Sequence, residues 1–176
     1  MTGTTTPART PVRPLVVATI AAACLEAAMG VLQLTRTDPG TGAHDATVHV
    51  LLTGFALALV AATPLWPALG RRVGSRWPGP VLVAGNLLLA AGATASNLNG
   101  SDPAFFGPVA TVANALVLVA LVAFAVLAWR RAALPRPLAV ALPVYLLGVV
   151  PLAQLGGSLL RAGVLLGVLW FLVVRR

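Results

Sequence analysis

The charged residues of this chain are spaced so widely that they constrain its fold more than any other feature. Four runs of 24 to 27 residues contain no Asp, Glu, Lys or Arg: 46–70, 77–101, 103–129 and 137–160. An α-helix needs about 20 predominantly apolar residues to cross a hydrocarbon core about 30 Å thick. The sequence therefore predicts an all-α integral membrane protein.

The composition supports this class and narrows the partners. Apolar residues make up 59% and charged residues 9% of the chain, whereas soluble domains carry about 25% charged residues. All 12 basic residues are Arg, in short clusters between the apolar runs. Such clusters are typical of membrane-span ends, while nucleic acid needs a continuous basic surface. We therefore expect contact with membrane lipids, no nucleic-acid partner and, from the Arg-, Ala- and Val-rich usage, a bacterial cell (plasma) membrane.

Turn-forming residues divide the apolar sequence into a compact bundle of about six membrane-spanning helices. Pro64 and Pro67 mark the end of the second span, Asn99-Gly100 ends the third, and Gly156-Gly157-Ser158 separates the last two. A polar tail at 1–13 is expected to be disordered and cytoplasmic, and 14–176 to form one transmembrane domain. The predicted spans are about 14–34, 46–68, 80–98, 108–129, 138–155 and 158–174.

The arginines also predict the orientation of the bundle. Ten of the twelve fall on one side when the chain crosses six times, and only Arg36 and Arg161 fall at or near the other. The clusters at Arg136 and Arg175 must both be cytoplasmic, so an even number of helices lies between them. By the positive-inside rule, both ends of the domain face the cytoplasm.

Glu26 is the most informative single residue, because it lies in the middle of the first span. An ionised carboxylate at the centre of a bilayer costs about 2.5 kcal/mol or more. We therefore expect Glu26 to face the bundle and to be either paired with a cation or protonated. Gln33, seven residues further on, shares its helix face. A protonated Glu26 is a candidate general acid, and the alternative is an acid that only hydrogen-bonds neighbouring helices.

Further polar residues are concentrated in the extracytoplasmic half of the predicted bundle, whereas the cytoplasmic half contains little beyond Asn86 and Tyr145. They suggest a polar pocket that opens outward, with Glu26 and His49 as candidate catalytic residues. The alternative is that each amide only joins neighbouring helices, through hydrogen bonds worth about 0.6–2 kcal/mol. The candidate ligand-binding residues are Gln33, Asn97, Asp102, Asn114 and Arg161.

Arg161 has two alternative fates, because it lies about one turn inside the outer boundary. Its guanidinium can extend outward to lipid phosphates, as long basic side chains near helix ends do. Alternatively it pairs with Glu26 or Asp102. A pair with Glu26 joins the first and last helices and keeps the acid ionised, whereas an unpaired Glu26 is protonated.

The segment from His44 to His49 contains two histidines and an aspartate, which are common metal ligands, but their spacing does not favour a metal site. Asp45 and His49 are four residues apart and share a helix face, but His44 does not lie on it. One such pair is short of the three protein ligands that a catalytic zinc needs. No metal or other cofactor is therefore expected, and Asp45 or Thr47 instead caps the second span.

The sequence is compatible with three functions. The first is a pocket that binds or transforms a small lipophilic molecule. The second is a transporter or proton-coupled permease subunit in which Glu26 relays protons, for which a homo-oligomer is expected because six short helices enclose a small pathway. The third is a non-catalytic partner of another membrane protein.

Overall fold

The computed structural model describes residues 12–35, 45–147 and 155–174, and within these ranges the chain forms seven α-helices and no strand. In chain order they are α1 (Val12–Thr35), α2 (Ala46–Ala61), α3 (Leu65–Arg72), α4 (Pro78–Asn99), α5 (Phe106–Arg130), α6 (Arg136–Leu147) and α7 (Gly157–Val174).

Five helical segments within the described ranges are long and apolar enough to cross a membrane. α2 and α3 together form one of them, Ala46–Arg72, and α6 adds a shorter apolar helix over Arg136–Leu146. The predicted class, an all-α multi-pass membrane bundle, is thus confirmed. Its orientation stays a prediction, because the helices alone do not distinguish the two faces of a bilayer.

The helices pack in chain order around a closed ring. α1 packs against α2, α2 against α4, α4 against α5, α5 against α6, and α6 against α7, which returns to α1; α3 packs against α4 and α7. The ring encloses fully buried side chains such as Trp66 and Phe124, whereas Val17 and Trp170 are exposed on its outside. An apolar exterior over a fully helical backbone suits lipid as the surrounding medium.

Proline separates α2 from α3 but does not end the second span. That span was predicted over 46–68 with Pro64 and Pro67 at its end, whereas the helix resumes at Leu65 and continues to Arg72. The N–H groups in the first turn of a helix have no intrahelical partner, so proline is tolerated there. Because Pro64 precedes α3 and Pro67 lies in its first turn, the helical path continues past both.

Two other predicted turns, after α4 and before α7, are present in the structure. Gly100 follows α4 with a φ of 68°, and Gly156 precedes α7 with a φ of 73°, a left-handed conformation that costs glycine little. The Asp45 carboxylate accepts a hydrogen bond of 2.8 Å from the Val48 backbone N–H. It therefore caps α2, as predicted.

One further predicted boundary differs from the structure, and another falls outside the described residues. Val12 and Arg13, predicted to belong to the tail, are part of α1, while 1–11 lie outside the described residues. The predicted fifth span extends to 155, but α6 ends at Leu147 and 148–154 also lie outside them.

The first and last helices approach each other closely at Gly30. A Cβ atom added there would lie 2.6 Å from Leu159 Cγ and 2.8 Å from the Leu159 backbone nitrogen. Any larger residue would have to push α7 away from α1. The absent side chain therefore permits the α1–α7 contact that closes the ring and carries the candidate site.

Candidate functional site

A buried ion pair joins the first and last helices. Arg161 Nη2 of α7 lies 2.8 Å from Glu26 Oε1 of α1, with side-chain exposures of 1% and 0%. Of the two fates predicted for Arg161, the pair with Glu26 is the one observed. Extension outward to lipid phosphates and pairing with Asp102 are both wrong, because Gly30 lets α1 and α7 approach until the two charges meet.

Aromatic side chains from two further helices hold the Arg161 guanidinium. Its Nη2 donates a hydrogen bond of 2.9 Å to the Tyr145 hydroxyl of α6. Its central carbon lies 4.6 Å from the centroid of the Tyr145 ring and 5.2 Å from that of Phe55 on α2. Cations are attracted to aromatic faces at such distances. Four helices, α1, α2, α6 and α7, therefore meet at this one cation.

The pair has hydrogen-bonding capacity that the protein does not use. Ser158, three residues before Arg161 and on the same face of α7, lies close enough to the Glu26 carboxylate to interact with it. Even so, Glu26 Oε2 and Arg161 Nε make no hydrogen bond of standard geometry within the described part of the chain. A buried polar group without a partner costs about 1–3 kcal/mol. The pair is thus well placed to accept additional polar contacts.

Other buried polar atoms in the interior also lack a hydrogen-bond partner among the described residues. Gln33 Oε1 lies on the Glu26 face of α1, two turns towards the C-terminal end of that helix, and makes no hydrogen bond to a described residue. The same holds for both amide atoms of Asn86, for Ser96 Oγ and for Asn114 Oδ1. Such atoms are rare in well-packed proteins, so each of them has capacity for a further polar contact.

Asn86 faces the break between α2 and α3. Gly79 on α4 contacts Pro67 of α3, and Asn97, further along α4, donates a hydrogen bond of 2.9 Å to Thr53 of α2. The two helical paths are antiparallel, so Asn86, between Gly79 and Asn97 on one face of α4, lies opposite residues 60–64. Because Pro67 has no N–H, the Thr63 carbonyl in that break lacks its usual helical donor.

Asn86 and Asn114 lie at one depth of the α4–α5 pair. A Cβ atom added to Gly85 would lie 2.9 Å from the Ala113 carbonyl oxygen. Asn86 directly follows Gly85 and Asn114 directly follows Ala113, so the two asparagines lie at a similar depth. From the sequence, Asn86 was predicted in the cytoplasmic half of the bundle and Asn114 in the other half. The structure does not divide this pair, because α5 extends beyond α4 at the end that carries Arg130.

His49 and Asn97 form a separate polar contact. His49 Nδ1 lies 2.5 Å from Asn97 Oδ1, and the Asn97 amide also donates to the exposed Thr53 hydroxyl. His49 and Phe55 are six residues apart on α2, so their faces differ by roughly 120°. Because Phe55 lies over Arg161, His49 points away from the ion pair. The structure does not assemble the predicted catalytic pair of Glu26 and His49.

The remaining predicted residues are scattered. Asp102 is exposed in the loop between α4 and α5, and Asn114 is on α5, which does not carry a residue of the ion-pair cluster. The structure brings two pairs of the seven candidates into contact, Glu26 with Arg161 and His49 with Asn97. Only the first pair is fully buried, with Gln33 on the Glu26 face of α1.

Three members of this cluster were not predicted from the sequence. Tyr145 was assigned to the cytoplasmic half, away from Arg161, and Phe55 and Ser158 were not singled out. The i, i+3 spacing of Ser158 and Arg161 was a usable signal. Tyr145 and Phe55 carried none, because their proximity depends on how the ring closes.

Apolar grooves run along the outside of the bundle, between helices. A groove of about 470 Å³ between α5 and α6 is lined by Trp129 and Pro143, and one of about 440 Å³ between α6 and α7 by Leu138 and Trp170. Glu26 does not line either of them. Grooves of this kind suit acyl chains of lipids.

Within the described ranges, no three His, Cys, Asp or Glu side chains lie close enough together to hold a metal ion. His44, weighed as a ligand from the sequence, lies outside those ranges.

No family model, no curated protein and no solved structure matches this chain. Its fold and site define a class by themselves: a multi-pass helical bundle of the membrane type in which the first and last described helices contribute a buried ion pair.

Proposed function

We propose that this bundle binds a small lipophilic molecule within a bacterial cell membrane, with the molecule's polar head group at the Glu26–Arg161 pair. The observation that carries the proposal is the unused hydrogen-bonding capacity of a fully buried pair, at Glu26 Oε2 and Arg161 Nε. A head group with one donor or acceptor would use that capacity, and its apolar body would lie among the surrounding aliphatic side chains.

A purely structural role explains the pair less well. Replacing a buried ion pair by apolar residues of similar volume is often neutral or stabilising, so two charges are an inefficient way to join α1 to α7. Hydrogen bonds between membrane helices average only about 0.6 kcal/mol. Ionisable residues inside membrane spans usually mark a site that binds or moves something. The pair is therefore better explained by a ligand than by stability.

The geometry favours binding over acid catalysis. A buried guanidinium stays charged and needs the negative charge of Glu26 beside it, so in this conformation the acid has no proton to donate. His49, the other candidate catalytic residue, is engaged with Asn97 on another face. We therefore propose a binding site rather than the acid-initiated chemistry considered from the sequence.

Extraction of the purified protein tests the proposal. Wild-type protein, purified in a mild detergent, should release a lipophilic molecule in stoichiometric amount on solvent extraction, with the matching mass increase in native mass spectrometry. The double variant Glu26→Leu/Arg161→Met should fold as well as wild type and lose at least nine-tenths of that molecule. Asn97→Ala, which disrupts the other polar contact, serves as the matched control and should keep it.

Two results would overturn the proposal. One is wild-type protein that releases nothing beyond bulk lipid. The other is a double variant that keeps the molecule at the wild-type level, since the pair would then not hold the head group.

A second candidate function is proton-coupled transport, favoured by the unpartnered interior atoms of Gln33 and Asn86 on either side of the pair along the helices. In that case Glu26 relays protons, and a homo-oligomer supplies the wider pathway. Proteoliposomes that hold the wild-type protein should then dissipate an imposed pH gradient faster than those with Glu26→Leu/Arg161→Met. Equal rates would leave binding alone, or a non-catalytic role beside another membrane protein, as the function.

A further inference from the structure

The geometry points to an exchange of partners at Arg161: we propose that the head group is a carboxylate, that it replaces Glu26 on the guanidinium, and that Glu26 takes up one proton as it is released. This inference rests on the proposed function and names its ligand class, a lipophilic carboxylic acid. It also makes binding of that ligand and uptake of a proton one event.

The charge count of the interior requires this coupling. Within the described residues, Glu26 and Arg161 are the only charged side chains buried in the bundle, one of each sign. A ligand carboxylate that joined them would leave an uncompensated negative charge in an apolar interior, at large cost. Protonation of Glu26 removes that charge. The sum is one carboxylate and one proton bound, with no bond other than O–H formed and no other charge changed.

The contacts of Arg161 suit a cation that keeps its place while its anion changes. The rings of Tyr145 and Phe55 lie against the guanidinium from α6 and α2, and neither contact depends on Glu26. Nη2 makes the contacts to both Glu26 and Tyr145, whereas Nε makes no hydrogen bond within the described chain. A carboxylate prefers two parallel N–H donors from one guanidinium, and the Nε–Nη2 edge offers such a pair.

A neutral Glu26 also has a hydrogen-bond partner within the bundle. Ser158 lies close to its carboxylate from α7, so a protonated Glu26 can donate its new O–H to that hydroxyl. The released acid therefore needs only a rotation about its side-chain bonds.

No other titratable group within the described chain shares this task. α1 itself carries Arg13 at its cytoplasmic end and the exposed thiol of Cys24. α7 contributes Arg161, and Tyr145 of α6 reaches the pair through Arg161. The titratable residue of α2 is His49, which points towards α4. Glu26 is left as the group that takes the proton.

Calorimetry with decanoate as the probe tests the exchange. Decanoate is titrated into wild-type protein in nanodiscs, in several buffers of different ionisation enthalpy at one pH, and the number of protons taken up follows from the slope. Empty nanodiscs and nanodiscs with Glu26→Leu/Arg161→Met correct for protons that decanoate gains on entering lipid. We expect one proton per bound decanoate, an affinity that falls up to tenfold per unit of rising pH, and at least tenfold weaker binding of decan-1-ol.

The variant Glu26→Gln provides a second readout, because its side chain carries no charge to neutralise. It should bind decanoate without proton uptake and with an affinity that no longer changes with pH. The wild-type measurement decides the matter even where this variant fails to fold.

The outcomes separate this inference from the proposed function. Decanoate bound by wild type without proton uptake, or decan-1-ol bound as tightly as decanoate, would overturn the exchange. A neutral lipophile that co-purifies with wild type but not with the double variant would do the same, while the proposed function stands. A protein that neither retains nor binds any of these molecules contradicts both.

Discussion

The two polar regions of this bundle differ in how completely the protein satisfies them. Between α2 and α4, His49, Asn97 and Thr53 contact one another at a partly exposed position. Between α1 and α7, Glu26 and Arg161 are fully buried, carry full charges and keep a carboxylate oxygen and a guanidinium N–H group unused. The first arrangement is sufficient in itself and joins two helices. The second arrangement lowers stability unless another group uses its free hydrogen-bonding atoms. This difference distinguishes a helix–helix contact from a candidate functional site.

The largest effect should follow from removing one charge of the pair. Glu26→Leu leaves Arg161 buried without its counter-ion, and breaking a buried pair in this way costs about 3–5 kcal/mol. Adding Arg161→Met to Glu26→Leu should restore most of that loss. The free energy of unfolding, measured by SDS titration or steric trapping, checks both variants. Equal stabilities of the single and double variants would show that the two charges are not coupled.

The same comparison shows how far sequence reasoning reaches. The uncharged runs predicted the helices because their length is set by the membrane, and the pairing of Glu26 with Arg161 was one of three alternatives that spacing left open. Phe55 and Tyr145 could not be foreseen, since their contact with Arg161 depends on how six helices close into a ring. His49 was misjudged for a related reason: its depth follows from the sequence, but the direction it faces is set by helix rotation, which depends on packing.

Removing the Tyr145 hydroxyl tests the support of the cation with a smaller effect. Tyr145→Phe deletes the hydrogen bond from Arg161 Nη2 but keeps the aromatic face. Hydrogen bonds to charged groups contribute about 1.5–3 kcal/mol, so we expect a loss near the lower end of that range. Thermal unfolding in detergent measures it. An unchanged stability would mean that the ring, and not the hydroxyl, holds Arg161.

Asn86 should respond in the opposite direction. Its side chain is 1% exposed and neither amide atom has a hydrogen-bond partner among the described residues. Asn86→Leu replaces this group by an apolar one of similar size, so we expect a gain of about 1 kcal/mol in the free energy of unfolding. A loss of stability would instead show that the amide contacts a polar group at the α2–α3 break.

The contact between α2 and α4 should contribute much less to stability than the ion pair does. Asn97→Ala removes its bonds to His49 and Thr53, and hydrogen bonds between membrane helices average about 0.6 kcal/mol. We expect a loss below about 1.5 kcal/mol by the same unfolding assay. A loss as large as that of Glu26→Leu would remove the distinction between the two regions.

Orientation can be tested with substitutions that leave stability nearly unchanged. Arg76 precedes α4 and Ser101 follows it, and both are exposed, so a cysteine at either position should alter the free energy of unfolding by less than about 0.5 kcal/mol. In a Cys24→Ala background, an impermeant maleimide should label Ser101→Cys in intact cells but reach Arg76→Cys only after permeabilisation. The reverse pattern would invert the bundle. Gln33 lies between Glu26 and the C-terminal end of α1, which is at the same end of the bundle as Ser101. The labelling therefore also shows on which side of the membrane the shorter path to the ion pair begins.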